Sequence, residues 1–123
     1  MELTNSEYLY LTAILSLSKR MILVKCTDIA RELNYSMPSV LAFLKRLEEK
    51  EYITYGERKS IFLTPKGLNI ANDLYNKQIM LTEAFKKMGA SSDLASSEAI
   101  KISHFISNEM LDIIKKFFTL ISD

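Results

Sequence analysis

Few side chains in this sequence are equipped for bond-making chemistry. It holds one histidine, His104, and one cysteine, Cys26. No nucleophile pairs with a base at readable spacing, and no glycine-rich loop stands ready to cradle a phosphate, so catalysis is not expected. A lone thiol closes no internal disulfide and makes no CxxC zinc pattern, and it points to a reduced, intracellular setting. The sequence offers instead a set of hydroxyls and cations suited to a polyanion. Thr27, Ser36 and Ser39 carry hydroxyls, Met37 and Pro38 lie between the two serines, and Ala42, Lys45 and Arg46 follow within two helical turns. Arg58 and Lys59 form a second basic pair. Such groups position a protein on phosphates and touch base edges. Together they are the candidate DNA-binding residues.

Those groups need elements to hold them. Thr4-x-x-Glu7 is a capping box, and Leu11, Ile14, Leu15 and Leu17 behind it recur at helical spacing. Lys19 to Lys25 breaks that pattern. Thr27 is the expected cap of a short second helix through Leu33, with Asp28 favourably near its positive end. Asn34-Tyr35 reads as a tight turn. Ser36 then caps a third helix that tolerates Pro38 in its first turn and turns Val40, Phe43, Leu44 and Leu47 inward. Ile53 and Tyr55 alternate with polar residues, and Ile61-Phe62-Leu63 follows a polar loop containing Gly56, which predicts a β-hairpin. Thr64-Pro65 starts a fourth helix that runs to about Met88 and stops at Gly89. Ser91-Ser92-Asp93 and Ser107-Asn108-Glu109 open a fifth and a sixth.

Helix, short helix, turn, longer helix and hairpin is the winged helix-turn-helix order. In that arrangement the third helix enters the major groove and the hairpin sets cations on the adjacent backbone. Each feature alone is ordinary, since surface hairpins are often charged. Their order is what points to double-stranded DNA. The fold class expected is mainly α with a small β-hairpin wing: residues 1–67 a winged helix-turn-helix DNA-binding domain, residues 68–123 a helical dimerisation region. Only 3 Gly and 2 Pro among 123 residues exclude a sandwich or barrel. With 16 Lys+Arg against 15 Asp+Glu, net charge +1 does not mark a nucleic-acid binder, so any basic patch must be local.

The stretches Thr27-Asp28-Ile29-Ala30-Arg31-Glu32-Leu33, Ser36-Met37-Pro38-Ser39-Val40 and Lys45-Arg46-Leu47-Glu48 resemble the diphtheria-toxin-repressor and manganese-transport-regulator (DtxR/MntR) family. So do Ile61-Phe62-Leu63-Thr64-Pro65-Lys66-Gly67, Met88-Gly89 and His104-Phe105-Ile106-Ser107-Asn108-Glu109-Met110. The resemblance covers nearly the whole chain. It implies a winged-helix DNA reader followed by helices that form a homodimer, in a short form without the SH3-like domain of some members. It also implies a repressor activated by Mn or Fe. The family's ligand positions fall here at Leu9 and Thr12, at Gln78, and at Ile100, Ser103 and His104, and only His104 matches. Mn and Fe want carboxylate and imidazole donors. The usual metal switch is therefore expected to be missing, with no cofactor. A shift of one residue in the first helix brings Glu7 or Tyr8 nearer, which leaves a rebuilt Mn or Fe site of Glu7 and His104 as the alternative. Without a metal, His104 reads as a hydrogen-bonded core residue, and Gln78 with Ser103 as a polar network in place of the ion. Leu41 and Ala42 stand where the family tends to carry polar residues facing DNA. They either contact thymine methyls or, for Leu41, pack against a neighbour.

The last helix pairs apolar residues at Met110/Leu111, Ile113/Ile114, Phe117/Phe118 and Leu120/Ile121, with Asp112, Lys115, Lys116 and Thr119 between. A stripe this wide needs cover. Part can pack on the long fourth helix. The rest is expected at a twofold interface using Leu111, Ile114, Phe117, Phe118 and Ile121, which would space two recognition helices roughly 34 Å apart on a palindromic operator. Met80, Met88 and Met110 are expected as core filler. Three rivals to a metal-independent regulator stay open: a metal-dependent repressor with relocated ligands, a MarR-like regulator switched by a small ligand or by Cys26 oxidation, and a winged-helix interaction protein that no longer binds DNA. The acidic, polar start Met1-Glu2-Leu3-Thr4-Asn5-Ser6-Glu7 and an apolar run no longer than Val40 to Leu44 predict a cytoplasmic protein without a targeting peptide or membrane span.

Overall fold

The computed structural model describes residues 3–122 and forms two compact units that divide after Asn72. Of the polar start, Met1 and Glu2 lie outside the described residues. The first unit holds α1 (Asn5–Ser18), α2 (Cys26–Leu33), α3 (Met37–Glu49), β1 (Ile53–Tyr55), β2 (Ile61–Leu63) and the start of α4 (Pro65–Lys87). The second holds the rest of α4 with α5 (Ser92–Ser103) and α6 (Asn108–Ser122). The fold is mainly α with one antiparallel hairpin, the winged-helix arrangement.

Local chemistry explains most boundaries. Thr4 Oγ1 accepts the Glu7 amide at 3.1 Å while Glu7 Oε1 accepts the Thr4 amide at 2.8 Å, which completes the capping box. α2 corrects the sequence reading, because its N-cap is Lys25 and Thr27 lies inside the first turn. The Asp28 carboxylate makes that possible by accepting the Lys25 amide at 2.8 Å, a bond the Lys25 side chain has no oxygen to match. Asn34 ends α2 in the left-handed region (φ 58°), which asparagine tolerates better than most residues. Ser36 Oγ then accepts the Ser39 amide at 3.3 Å and starts α3.

Between these helices Leu11, Ile14, Ile29, Val40, Leu44, Leu47, Ile53 and Ile61 are sealed from solvent. Each contributes about 1.5–3 kcal/mol by leaving water. Phe43 is only half-buried and stacks on Tyr10 at 4.3 Å. In the hairpin Ile53 pairs with Leu63 and Tyr55 with Ile61, so the two isoleucines anchor it while Thr54 and Phe62 face out and Tyr55, on the isoleucines' side, stays partly exposed. Gly67, in the first turn of α4, is required by contact: a Cβ there would stand 2.1 Å from the Tyr52 carbonyl oxygen.

In the second unit α4 ends in a Schellman motif. Gly89, at φ +112°, donates to the Lys86 carbonyl and Ala90 to that of Phe85, both at 3.0 Å. Ser91 Oγ accepts the Leu94 amide at 3.2 Å and Ser107 Oγ the Met110 amide at 3.0 Å, opening α5 and α6. The buried side chains are mostly small: Ala84, Ala95, Ala99 and Ser103, with Leu74 and Leu81. Two methionines depart from the expected core role. Met88 is 71% exposed where α4 ends, and Met110 is 46% exposed on the outer side of α6; Met80 is half-buried. Among the described residues no helix is long and apolar enough to cross a membrane.

Candidate nucleic-acid interface

α3 shows two faces set by the 3.6-residue repeat. Val40, Leu44 and Leu47 point into the core, and Ser36, Met37, Pro38, Ser39, Leu41, Ala42, Lys45 and Arg46 are exposed. Leu41, at 52% exposure, does not pack into the core, which removes the simplest alternative to an outward role. Ser36 and Ser39 share a hydroxyl hydrogen bond of 2.9 Å at the helix start. Thr27 is also exposed, on the first turn of α2. Arg46 is diverted. Its Nε lies 3.8 Å from Glu7 Oε2 and its guanidinium 5.4 Å from the Phe43 ring, so it is shared between solvent and α1.

The wing carries Arg58 and Lys59 on a 3₁₀ turn (Glu57–Lys59), both exposed and both with positive φ, 55° and 59°. The nearby glycine, Gly56, is extended (φ −110°) and does not supply the left-handed backbone. Two non-glycine residues in that region cost about 1–2 kcal/mol each. The turn is held by the Lys25 ammonium, which donates to the Arg58 carbonyl, and by Gly56 N–H to Ser60 O at 2.8 Å. Ile61 N–H donates to Val24 O at 2.8 Å, tying the hairpin to the segment before α2. Lys25 is thus a positioning residue that sequence reasoning missed, because nothing local marks it.

The metal reading fares differently. Among the described residues no three His, Cys, Asp or Glu side chains gather to hold an ion. Leu9 and Ile100 have no donor atom on the side chain. Thr12 Oγ1 donates to its own helix, to Tyr8 O at 2.9 Å and Leu9 O at 3.1 Å. Ser103, buried, donates to Ile100 O at 2.9 Å, which turns its hydroxyl proton onto α5. Glu7, in the first unit, is fully buried and engaged by the Thr4 amide, Lys50 and Arg46. Burial pushes its carboxyl up, but the Lys50 hydrogen bond, the Thr4 amide and the Lys50 charge outweigh that and leave it below the usual 4.5. His104, in the second unit, caps the C-terminus of α5 and sits edge-on to Phe105 at 6.3 Å. Burial lowers its pKa and favours the neutral ring. At Leu9, Thr12, Gln78, Ile100 and Ser103 the chain carries neither carboxylate nor imidazole, the donors that Mn and Fe prefer. Cys26 is half-buried at the start of α2, and burial raises its thiol above 9.0.

A capped helix with an exposed leading face beside a pinned, cationic hairpin defines the class: a winged-helix transcriptional regulator. Residues 2–61 match the family described as iron dependent repressor, N-terminal DNA binding domain. An uncharacterized HTH-type transcriptional regulator of Methanocaldococcus jannaschii is 32% identical over 104 residues, 81% of this chain and 81% of its own. The transcriptional regulator MntR of Salmonella typhimurium is 30% identical over 90 residues, 73% of this chain and 57% of its own. The crystal structure of T. acidophilum IdeR superimposes with a TM-score of 0.74 at 25% identity, over 97% of this chain and 55% of that one. The chain therefore belongs to the iron-dependent-repressor (DtxR/MntR) family. It spans little more than half the length of the last two. These relatives are transcriptional regulators rather than enzymes.

Proposed function

We propose that the chain is a dimeric DNA-binding repressor that works without the Mn or Fe switch for which its relatives are named. The reading is carried by the exposed leading face of α3, Ser36 to Ala42 with Lys45, in the same unit as a wing whose Arg58 and Lys59 are held out by Lys25. The α3 face enters the major groove, where hydroxyls and the Leu41 and Ala42 methyls meet base edges. Arg58 and Lys59 sit on the flanking phosphates and supply affinity without sequence preference. Two copies joined through α6 read a palindrome, with half-sites roughly 34 Å apart.

Support for the homodimer comes from α6. Leu111, Ile114 and Phe118 are half-buried, and Phe118 lines a recess with Met80 and Ala84 of α4. Phe117 and Ile121, with Met110, Ile113 and Leu120, remain exposed at 3.5-residue spacing, the geometry of a helix seam. The raised Cys26 thiol argues against the redox-switched alternative. Selection of binding sites from random duplexes at physiological salt, with chelator and with added manganese(II) or iron(II), tests the proposal. A palindrome enriched under all conditions is the expected result. No enrichment would remove the DNA reading, and enrichment only with metal would restore the metal-dependent repressor.

A further inference from the structure

Glu7 is the one charged side chain among the described residues with no solvent exposure at all. A carboxylate survives such burial only if paired and hydrogen-bonded. Its oxygens are both engaged: Oε1 accepts the Thr4 amide at 2.8 Å, and Oε2 accepts the Lys50 ammonium and lies 3.8 Å from Arg46 Nε. Both cations come from the end of α3, Arg46 in its last turn and Lys50 at its C-cap. The first turn of α1 therefore grips the far end of the helix whose near end carries Ser36 and Ser39. α3 is 13 residues long, about 20 Å. A small tilt at the gripped end becomes a larger displacement at the reading end. Lys50 is held in turn, since its carbonyl accepts the Lys66 ammonium at 3.2 Å. A divalent ion arriving at Glu7 would have to displace Lys50 or sit beside a second positive charge in a buried site.

We infer that Lys50, not a divalent metal, is the cation that Glu7 holds, and that this internal ion pair sets the pose of α3 for reading DNA. The inference rests on the DNA-binding proposal above. It is tested on the full chain by fluorescence anisotropy with the selected duplex and by thermal melting. Wild type, Lys50→Met, Lys50→Arg and the neutral double variant Glu7→Gln/Lys50→Met are each measured with chelator and with excess manganese(II). Wild-type affinity is expected to agree within about twofold in the two buffers. Lys50→Met leaves the buried carboxylate with the Thr4 amide and only the 3.8 Å contact to Arg46 as counter-charge, so it should melt lower and lose at least about tenfold in affinity. The double variant should regain the melting temperature but not the affinity, and Lys50→Arg should keep both. A wild type that needs manganese for a tenfold or greater gain overturns the inference. So does a double variant that binds like wild type, because the pair would then serve stability alone. If wild type binds but Lys50→Met binds equally well, only this inference fails; if wild type binds no duplex, the DNA reading fails and takes it along.

Discussion

The two units close their cores differently. Up to Asn72 most large aliphatic side chains are sealed inside, and what α3 and its cap leave in water is mostly polar or charged: Ser36, Ser39, Lys45, Arg46, Glu48 and Glu49, with Met37, Pro38, Leu41 and Ala42. Beyond Asn72 the buried set is mostly small, three alanines and a serine with two leucines, while α6 leaves Met110, Ile113, Phe117, Leu120 and Ile121 outside, Leu120 at 78% exposure. The first surface suits a hydrated polyanion, whose interfaces are polar and wet. The second suits another apolar protein surface, because a contiguous stripe of that kind is an aggregation hazard when bare. What an exposed helix leaves outside thus indicates the chemistry of its partner.

The sharpest way to break the first unit is at its tightest point of packing. Gly67→Ala puts a Cβ against the Tyr52 carbonyl and should cost about 3 kcal/mol or more in urea unfolding. Stability unchanged within error would mean that the α4–β1 junction yields easily. The second unit should respond at its surface instead. Ile113→Asp with Phe117→Asp should keep the helical circular dichroism but weaken self-association by about 2–4 kcal/mol, read by light scattering over a concentration series. A dimer of undiminished strength would move the seam off α6.

Smaller effects sharpen the contrast. Arg58→Ala with Lys59→Ala should weaken binding to all duplexes alike and reduce the salt slope by about 1 for each phosphate that the wing no longer neutralises. A slope that stays put would take the wing off the DNA. Because the folded-state pKa of Glu7 is depressed, its ion pair stabilises the fold above the ordinary carboxyl value of 4.5, and that contribution fades as pH falls through the lower folded value. Acid unfolding of Glu7→Gln should lack that component. The least change is expected at Cys26. With its thiol raised above 9.0, labelling by a disulfide reagent should be slow at pH 7 and quicken only on strong alkalinisation, and Cys26→Ser should bind DNA as wild type does. Rapid labelling at pH 7 would revive an oxidation switch.

Most element boundaries were legible because capping is local. Thr4, Ser36, Thr64, Ser91 and Ser107 each accept an amide three residues on, and the residue types announce it. α2 was the exception, since its cap is made backwards by Asp28 and starts on a lysine. In the wing the presence of Gly56 suggested where the chain would turn, yet the positive φ values fall on Arg58 and Lys59. Periodicity marked α6 as apolar, but not which of its residues α4 would half-cover.

The sequence by itself determined the order of helices and hairpin, the outward and inward sides of α3, and the family, because these depend on residue types a few positions apart. Only the tertiary structure decided that Glu7 belongs to Lys50, 43 residues away, and that Lys25 holds the wing at Arg58, 33 residues away. Pairing at such separations depends on which side chains the packed core brings together and dries out, and neither spacing nor propensity encodes that.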